Sequence, residues 1–407
     1  MNLSYFIATR YFRSKEKKNF ITVLSRISMI GVAVGTMALV VVLSVFNGLE
    51  GLIKDLYASF DADLKVMPRL GKSFEVDEEF LSEMRETAGV EILTEVIEDN
   101  ALVRYGEHQV VATLKGVSEN FLQQNRFEKG YFSGNKSLGE EGRPQAILGR
   151  GLSYFLLLDL DDEFELMQVF YPKEPRAGSI DPASMYNRSV IRPAGIFSIE
   201  KQYDDEYLIV PLGFAADLLE YGNRRSALEI KVADGYSIEE VKYRLRDQLG
   251  EEFIVNDSNE QHASLLMTIR LEKLFVFLTL TFILAVASFN IFFSLSMLAI
   301  EKKKDIAVLL AMGGKRSLIK SIYLKEGAII AFSGALIGLL LGFLICWAQD
   351  SFGLVSLGVT SSIVDAYPVR MKWTDFLYTS LSVVLITLLA SYRPALIASK
   401  VNTTSHL

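Results

Sequence analysis

The stretch that comes closest to a nucleotide-binding motif is Gly313-Gly314-Lys315-Arg316-Ser317, which superficially matches a phosphate-binding loop. Such a loop needs a glycine five residues before its second glycine and a serine or threonine directly after the lysine. Leu309 and Arg316 occupy those two positions, and an apolar helical pattern precedes the segment where the motif requires a strand. We therefore expect this chain to bind no ATP itself.

The histidines offer no catalytic or metal-binding constellation. His108, His262 and His406 are far apart in the sequence, and none has a neighbour that would complete a metal site or activate a nucleophile. The carboxylates at 159–163 and 204–206 lie in turn-like stretches, where solvated side chains are the simplest interpretation. Catalysis needs convergent groups. The sequence therefore predicts a chain that is not an enzyme, with no catalytic residue, metal or cofactor of its own.

Four long uncharged stretches predict four membrane-spanning helices. They cover residues 27–49, 274–300, 327–349 and 376–392, and about 20 residues suffice to cross the hydrocarbon core. The first stretch begins too far into the chain, and is too long, for a cleaved signal peptide, and no small-x-small cleavage site follows it. We expect it to stay as a membrane anchor.

The charge distribution orients these spans. Residues 50–269 hold 23 basic and 41 acidic residues, whereas the rest of the chain holds 19 and 8. Basic residues cluster before the first span and between the second and third, so the positive-inside rule places both termini and that short loop in the cytoplasm. The acidic block is then outside. Because the single cysteine, Cys346, lies in the third span, the outer block cannot use disulfides.

The outer block has the pattern of an α+β domain of two lobes, because short β-like runs alternate with amphipathic helices. Tyr105-Gly106-Glu107-His108 predicts a hairpin turn. The stretch 171–192 lacks clear periodicity, which leaves two interpretations open: a loop that contacts a partner or one that is merely mobile. Strands are predicted at 63–67, 101–105, 108–116, 145–148, 163–169, 190–197, 207–210, 227–232 and 252–256, and helices at 77–87, 149–156, 211–221 and 237–249.

A short apolar helix is predicted in the cytoplasmic loop. Five charged residues from Glu301 lead into seven apolar ones and end at Gly313-Gly314, and glycine pairs commonly end helices. Its apolar face must be buried against the bilayer surface, its own transmembrane helices or another protein. Small residues at four-residue spacing in the first and third spans predict close helix packing. They are Gly31, Gly35, Gly334, Gly338 and Gly342.

Three separated segments resemble the permease subunits of the lipoprotein-releasing ABC transporter, the LolC/LolE family, which belongs with the exporter MacB and the division protein FtsX. They are SRISMIGVAVGTMALVVVLSVFNGLE in and around the first span, EKKKDIAVLLAMGGKRSLIKSIYLKEG in the cytoplasmic loop, and YRPALIASK after the fourth span. One departure is Val401-Asn402-Thr403, where the family commonly has an Asp-Pro pair.

The resemblance implies a membrane protein of four transmembrane α-helices with a large α+β periplasmic domain inserted between helices 1 and 2. The expected organisation is an interfacial helix at 1–20, spans at 21–49, 270–300, 327–349 and 376–392, the periplasmic domain at 50–269, a coupling-helix loop at 301–326, a short periplasmic loop at 350–375 and a cytoplasmic tail at 393–407.

The resemblance also implies partners and an inner-membrane location. Two permease protomers, identical or sister chains, would join two ATPase subunits that bind ATP and magnesium. A lipoprotein would enter the cavity between the protomers from the outer leaflet, and ATP-driven closure would pass it to a periplasmic carrier. Three rivals are an FtsX-like regulator, a MacB-like exporter and a membrane-anchored periplasmic enzyme. The large outer domain argues against the regulator, the lack of a fused ATPase argues against the exporter, and the lack of a catalytic constellation argues against the enzyme.

Three sets of candidate residues follow from the resemblance. The ATPase-coupling set is Lys304, Asp305, Ile306, Leu309, Leu310, Met312 and Gly313. The set for the lipoprotein cavity is Val40, Val41, Leu43, Phe46, Phe275, Phe277, Leu278 and Phe282, whose members could equally face ordinary lipid or a neighbouring helix. The set for the carrier-contact loop is Arg176, Met185, Arg188 and Arg192.

Overall fold

A computed structural model describes residues 3–13, 20–124, 126–127, 131–140, 142–160, 162, 165–173, 185–356 and 366–400. The described chain divides into two compact units. The first, here the helical unit, contains the residues up to Leu52 and those from Leu265 onward. The second, here the sheet unit, contains Ile53–Ser264. Val401-Asn402-Thr403 and Arg176 lie outside the described residues.

The helices include four that are much longer than the rest. They are α1 (Leu3–Arg13), α2 (Phe20–Phe60), α3 (Glu78–Glu86), α4 (Arg150–Phe155), α5 (Lys201–Glu206), α6 (Leu212–Leu219), α7 (Ile238–Leu249), α8 (Ser258–Gln261), α9 (Ala263–Glu301), α10 (Lys303–Ala311), α11 (Arg316–Phe352) and α12 (Trp373–Ser399).

The strands all belong to the sheet unit. They are β1 (Leu64–Pro68), β2 (Phe74–Glu75), β3 (Val90–Tyr105), β4 (His108–Val117), β5 (Tyr131–Gly134), β6 (Gly139–Glu140), β7 (Arg143–Gly149), β8 (Met167–Pro172), β9 (Tyr186–Ser198), β10 (Tyr207–Pro211), β11 (Arg224–Arg225), β12 (Ala227–Val232) and β13 (Phe253–Asp257).

Helices α2, α9, α11 and α12 are long and apolar enough to cross a membrane, as the uncharged stretches predict. Each continues beyond its uncharged stretch. Helix α2 runs on to Phe60, and α11 begins at Arg316, inside the segment expected to be a cytoplasmic loop. Charged residues such as Lys320 and Lys325 end the uncharged stretch, but they do not end the helix, because lysine is a good helix former.

Helix α11 lies against α2 along a line of glycines. A Cβ added to Gly338 would come within 2.4 Å of the Ala33 carbonyl oxygen, and one added to Gly334 within 2.7 Å of the Met29 carbonyl oxygen. A Cβ added to Gly35 would lie 2.8 Å from the end of the Leu284 side chain of α9. Without Cβ atoms the helix backbones approach closely and gain dispersion contacts, which hold helices together in lipid.

The sheet unit is built on one large mixed sheet. Its strand order is β13-β1-β12-β3-β4-β10-β7-β9-β5, with β8 paired to β3 and β9. Most neighbours are antiparallel, but β10 is parallel to β4 and β7 is parallel to β9. β3 and β4 form a hairpin in which Tyr105 pairs with His108. Gly106 has φ +56° in that turn, which suits the glycine that the sequence places there.

Two hydrophobic cores flank this sheet, and β3 contributes to both. Near its start, Leu93 packs with Leu81 of α3 and Val241 of α7. Farther along, Val103 packs with Leu152 of α4 and with residues of α6. The 16-residue length of β3 lets one strand contribute to both cores.

The stretch 171–192 is more regular than its sequence suggests. Strand β8 extends to Pro172, β9 begins at Tyr186, and these strands pair with Tyr171 opposite Asn187. This corrects the expectation of a continuous loop. Exposed and less exposed residues alternate along β9 from Tyr186 onward. In Tyr186-Asn187-Arg188-Ser189 both faces carry polar residues, so the sequence lacks the alternation of apolar and polar residues that identifies a strand.

A buried ionic cluster joins three parts of the sheet unit. Glu229 of β12 accepts hydrogen bonds from Lys115 of β4 at 2.8 Å and from Arg126 at 2.6 Å. All three side chains are buried. Burial opposes ionisation of Glu229, but the two cations outweigh it and hold the pKa of that carboxyl below its ordinary value. The cluster therefore depends on ionised Glu229.

We predict that Glu229→Gln lowers the free energy of unfolding by about 3–5 kcal/mol, because it leaves two buried cations without their carboxylate. Because the folded pKa is depressed, the stabilisation is complete above the ordinary glutamate pKa of 4.5 and is lost as the pH falls through the folded pKa. Denaturant unfolding of the full chain in detergent at several pH values measures both effects. The exposed Glu251→Gln is the control, and equal stability of the two variants would contradict the prediction.

We also predict that Gly338→Ala destabilises the helical unit by about 1–3 kcal/mol, because the new methyl group meets the α2 backbone. Gly31→Ala is a matched control, since its Cβ would lie 3.7 Å from Ala287, an ordinary contact. Thermal unfolding in detergent compares the two. A melting temperature for Gly338→Ala as high as that of Gly31→Ala would show that the close contact is not needed.

Candidate functional site at helix α10 and on the long helices

Helix α10 is a nine-residue helix between the end of α9 and the start of α11. It ends as the glycine pair predicts: Gly313 has φ +92°, and the amide of Gly314 donates to the carbonyl of Leu309 at 2.9 Å. A Cβ at Gly314 would lie 2.6 Å from that carbonyl oxygen. Gly313 is therefore required because its φ is positive, and Gly314 because a side chain there would clash with the Leu309 carbonyl.

The structure corrects the expected role of Ile306. Its side chain is 1% exposed, and with Ala307 it packs against the helical unit itself, in a core that includes Leu298 of α9 and Ile319 of α11. Leu309 and Leu310 are half-buried against the same core. Of the three burial partners that the sequence left open, these side chains use the chain's own helices.

The opposite face of α10 is exposed. Lys304 and Asp305 begin it, Val308 is 48% exposed, and Met312 is 80% exposed. Asp305, Val308 and Met312 are spaced i, i+3 and i+7, which puts them on one side of the helix. This exposed face combines charged and apolar side chains, and is the part of α10 that a partner can reach.

The residues expected at a lipid cavity divide into two groups. Val40 and Leu43 are buried inside the helical unit, and Val41 and Phe46 are half-buried. The reason for the burial of Val40 is its contact with α11, since a Cβ at Gly342 would lie 2.9 Å from the Val40 Cβ. The expectation that Val40 and Leu43 line an open cavity in this chain is therefore corrected.

Helix α9 carries the expected cavity residues that are exposed. Its most apolar window is only 17% buried, compared with 39% for each of the other three long helices. Phe277 is half-buried, but the other three expected residues of α9 are exposed and continue as a stripe at helical spacing. The α9 stripe consists of Phe275, Leu278, Phe282, Val286, Phe289 and Phe293.

The described residues of the expected carrier-contact loop lie on or next to a strand. Arg188 and Arg192 are on β9, and Met185 comes directly before it. The Arg188 guanidinium lies 5.8 Å from the centre of the Phe170 ring on β8. Arg192 pairs in register with Gln145 of β7.

A polar cluster on the long helices was missed by the sequence analysis. Asp375 in the first turn of α12 accepts a hydrogen bond from the Asn47 side chain of α2 at 2.6 Å. It also forms an ion pair with Lys273 of α9 at 3.2 Å. Lys273 also donates to the Asn47 side chain at 2.7 Å. Asn47 and Asp375 are buried. This polar triad ties the three long helices α2, α9 and α12 together.

A signal for the triad was present in the sequence. Asn47, Lys273 and Asp375 each stand at the edge of a different apolar stretch. Polar side chains at such positions usually pair with one another. Their separation in sequence, from 47 to 375, hides the pairing.

Comparison with known proteins adds the family. A family described as MacB-like periplasmic core domain matches residues 25–248, and one described as FtsX-like permease C-terminal matches residues 277–403. The chain belongs to the family with a MacB-like periplasmic core domain. Its order of segments, with a periplasmic core domain followed by an FtsX-like permease region, is that of a transmembrane permease subunit of ABC transporters, a class that is generally non-catalytic.

The permease also has full-length relatives. It is 24% identical to the lipoprotein-releasing system transmembrane protein LolE of Haemophilus influenzae, over 98% of each chain. It is 26% identical to LolC of Neisseria meningitidis serogroup B, over 85% of this chain and 82% of that protein. A solved structure of the periplasmic region of MacB from Actinobacillus actinomycetemcomitans aligns with a TM-score of 0.37 and 10% identity, covering 51% of this chain and 94% of that one. The four long helices and the periplasmic core domain fit an inner-membrane permease.

We predict that Asp375→Ala lowers the free energy of unfolding of the permease by about 3 kcal/mol, because it leaves the Lys273 ammonium without its carboxylate. The double variant Asp375→Ala with Lys273→Met should lose less than the sum of the single variants, since the two side chains interact directly. Lys372→Ala is the control: its ion pair with Glu50, at 3.6 Å, is exposed on the lysine side and should contribute little. Additive losses in the double variant, measured by thermal unfolding, would exclude the pairing.

Proposed function

We propose that this permease is the transmembrane subunit of an ABC transporter that extracts outer-membrane lipoproteins from the inner membrane and passes them to a periplasmic carrier. The observation that carries the proposal is the match, over 98% of both chains, to a protein named for lipoprotein release. A match of that extent includes the periplasmic segment as well as the spans, so the whole architecture is shared with that relative.

The energy for extraction would come from a separate ATPase subunit that binds ATP and magnesium. The exposed face of α10 is suited to contact it, because Val308 and Met312 offer apolar area and Lys304 and Asp305 offer charge. Hot spots of protein interfaces are commonly apolar anchors with polar surroundings. Ile306 would act indirectly. By packing α10 against α9 and α11, it would transmit a displacement of α10 to both spans.

The acyl chains of the lipoprotein need apolar surface that is reachable from the membrane. The α9 stripe supports this role, because its phenylalanines face away from the helical unit and only a minor part of α9 is covered by the rest of the chain. A second permease protomer, identical or sister, would complete the cavity on the other side of the stripe. Phe46, half-buried on α2, would lie at its edge.

The carrier would bind on the periplasmic side. The strand segment with Met185, Arg188 and Arg192 is the candidate surface, since it presents basic side chains next to the residues 174–184 that separate β8 from β9. In the family that the chain resembles, a loop at this position contacts the carrier.

A second candidate function is that of an FtsX-like regulator, which transmits ATPase motion to a periplasmic partner and transports nothing. The match of the FtsX-like permease family to residues 277–403 favours it. Depletion of the protein separates the two. We expect lipoproteins destined for the outer membrane to accumulate in the inner membrane, whereas normal lipoprotein sorting after depletion would support the regulator.

We predict that Met312→Asp weakens binding of the ATPase subunit by about tenfold or more, because it places a charge at an apolar anchor of the interface. The thermal stability of the permease itself should not change, since Met312 is exposed. Co-purification with the ATPase and lipoprotein-stimulated ATP hydrolysis measure the loss, and Met312→Leu should restore both.

Ile306→Ala tests the buried face of α10, as Met312→Asp tests the exposed face. It should lower the free energy of unfolding of the permease by about 2–5 kcal/mol, as expected for truncation of a buried core residue. Undiminished ATPase binding by Met312→Asp would refute the assignment of the exposed α10 face as the ATPase contact.

A further inference from the structure

A groove runs along the helical unit between α11 and α12. Its volume is about 570 Å³, within the range of sites that hold small-molecule ligands. Small side chains on α11, among them Ala328, Ala331 and Ala335, form its floor, and Val383 and Thr387 form the wall on α12. The groove exists because alanines face α12 where larger residues would fill the space.

The inside of the groove suits hydrocarbon. The lining is almost wholly apolar, and two of its polar side chains are satisfied by their own helix: Ser380 donates to the Phe376 carbonyl and Thr387 to the Val383 carbonyl, both at 2.7 Å. These hydroxyls therefore leave no donor for an occupant. A peptide backbone would find few hydrogen-bond partners there, which is costly in an apolar site, whereas an acyl chain needs none.

One end of the groove is cationic. Lys325 and Tyr5 line this end, and the Lys325 ammonium donates a hydrogen bond to Ser4 of α1 at 2.6 Å. Within the described part of the chain, Lys325 has no carboxylate within ion-pair distance. Glu326, the next residue, is buried and does not line the groove. The positive charge at this end is thus left for an external anion.

The charge distribution of the sequence assigns this end to the cytoplasmic side. Lys325 lies in the basic segment between the second and third spans, which the positive-inside rule places in the cytoplasm. Lys320, nearer the start of α11, adds a second cation, whose ammonium lies 4.5 Å from the Tyr392 ring of α12. Basic pockets between spans on the cytoplasmic side are typical sites for anionic lipid head groups.

We propose that this groove binds a phospholipid of the cytoplasmic leaflet with an anionic head group, its phosphate at Lys325 and one acyl chain between α11 and α12. The site is separate from the α9 stripe, which lies on another helix. A lipoprotein substrate arriving from the outer leaflet would present its acyl chains at the opposite end of the spans, away from the cation.

Photo-crosslinking of the full chain tests the proposal. The protein is reconstituted into phosphatidylcholine vesicles that contain either phosphatidylglycerol or phosphatidylcholine with a photoreactive group in the acyl chain, and the labelled peptides are identified. We expect phosphatidylglycerol to label the groove segments of α11 and α12 about fivefold more than phosphatidylcholine does, the preference expected of one lysine at an anionic surface.

Two pairs of variants make the result specific. Lys325→Gln should abolish the preference for phosphatidylglycerol, whereas Lys315→Gln, which removes an exposed lysine outside the groove, should not. Ser333→Trp, which fills the groove, should reduce labelling by both probes, and Leu340→Trp, at an exposed position of α11 outside the groove, should leave it unchanged.

Two results would overturn the proposal. Equal labelling by the two lipids, insensitive to Lys325→Gln, would identify ordinary boundary lipid. Stronger labelling of the groove by a photoreactive triacylated lipopeptide than by phosphatidylglycerol would assign the groove to the substrate. Neither result depends on whether the permease releases lipoproteins, because the assay measures binding of a lipid in the absence of any ATPase.

Discussion

The close approach of α11 to α2 is the contact on which the helical unit depends. Lipid tails are as apolar as leucine, so helices in a membrane gain little from burying apolar surface and must be held by close packing. Gly334, Gly338 and Gly342 allow that packing because α11 can lie directly on the backbone and Val40 of α2. The same contact covers the face of α2 that includes Val40, whereas the α9 stripe stays exposed.

Local pattern predicted much of the fold, and the reasons can be named. The turn at Tyr105-Gly106-Glu107-His108 and the strand Ala227–Val232 were predicted because glycine at a turn and alternating β-branched residues are strong local signals. The four spans were predicted because length and lack of charge suffice. What these elements share is that each is specified by residues close together in sequence.

The candidate site was less predictable, because it depends on which face of a helix is turned inward. The apolar residues of α10 identify a helix with a buried side, but only the structure shows that Ile306 occupies that side and Met312 the other. The same holds for Val40 and Leu43 on α2. The triad of Asn47, Lys273 and Asp375 joins residues from three spans, and no local pattern reports a pairing over that distance.

Helix α9 has a mechanical property that follows from its length and its narrow contact. It is 39 residues long, about 58 Å at 1.5 Å per residue, and it touches the rest of the helical unit along one side only. Near one end it is pinned by Lys273, and at the other Leu298 and Ala299 share a core with Ile306 of α10. Helix α9 is therefore held near both ends by contacts of different kinds, an ion pair at one end and an apolar core at the other, while the phenylalanine side of the length between them stays exposed.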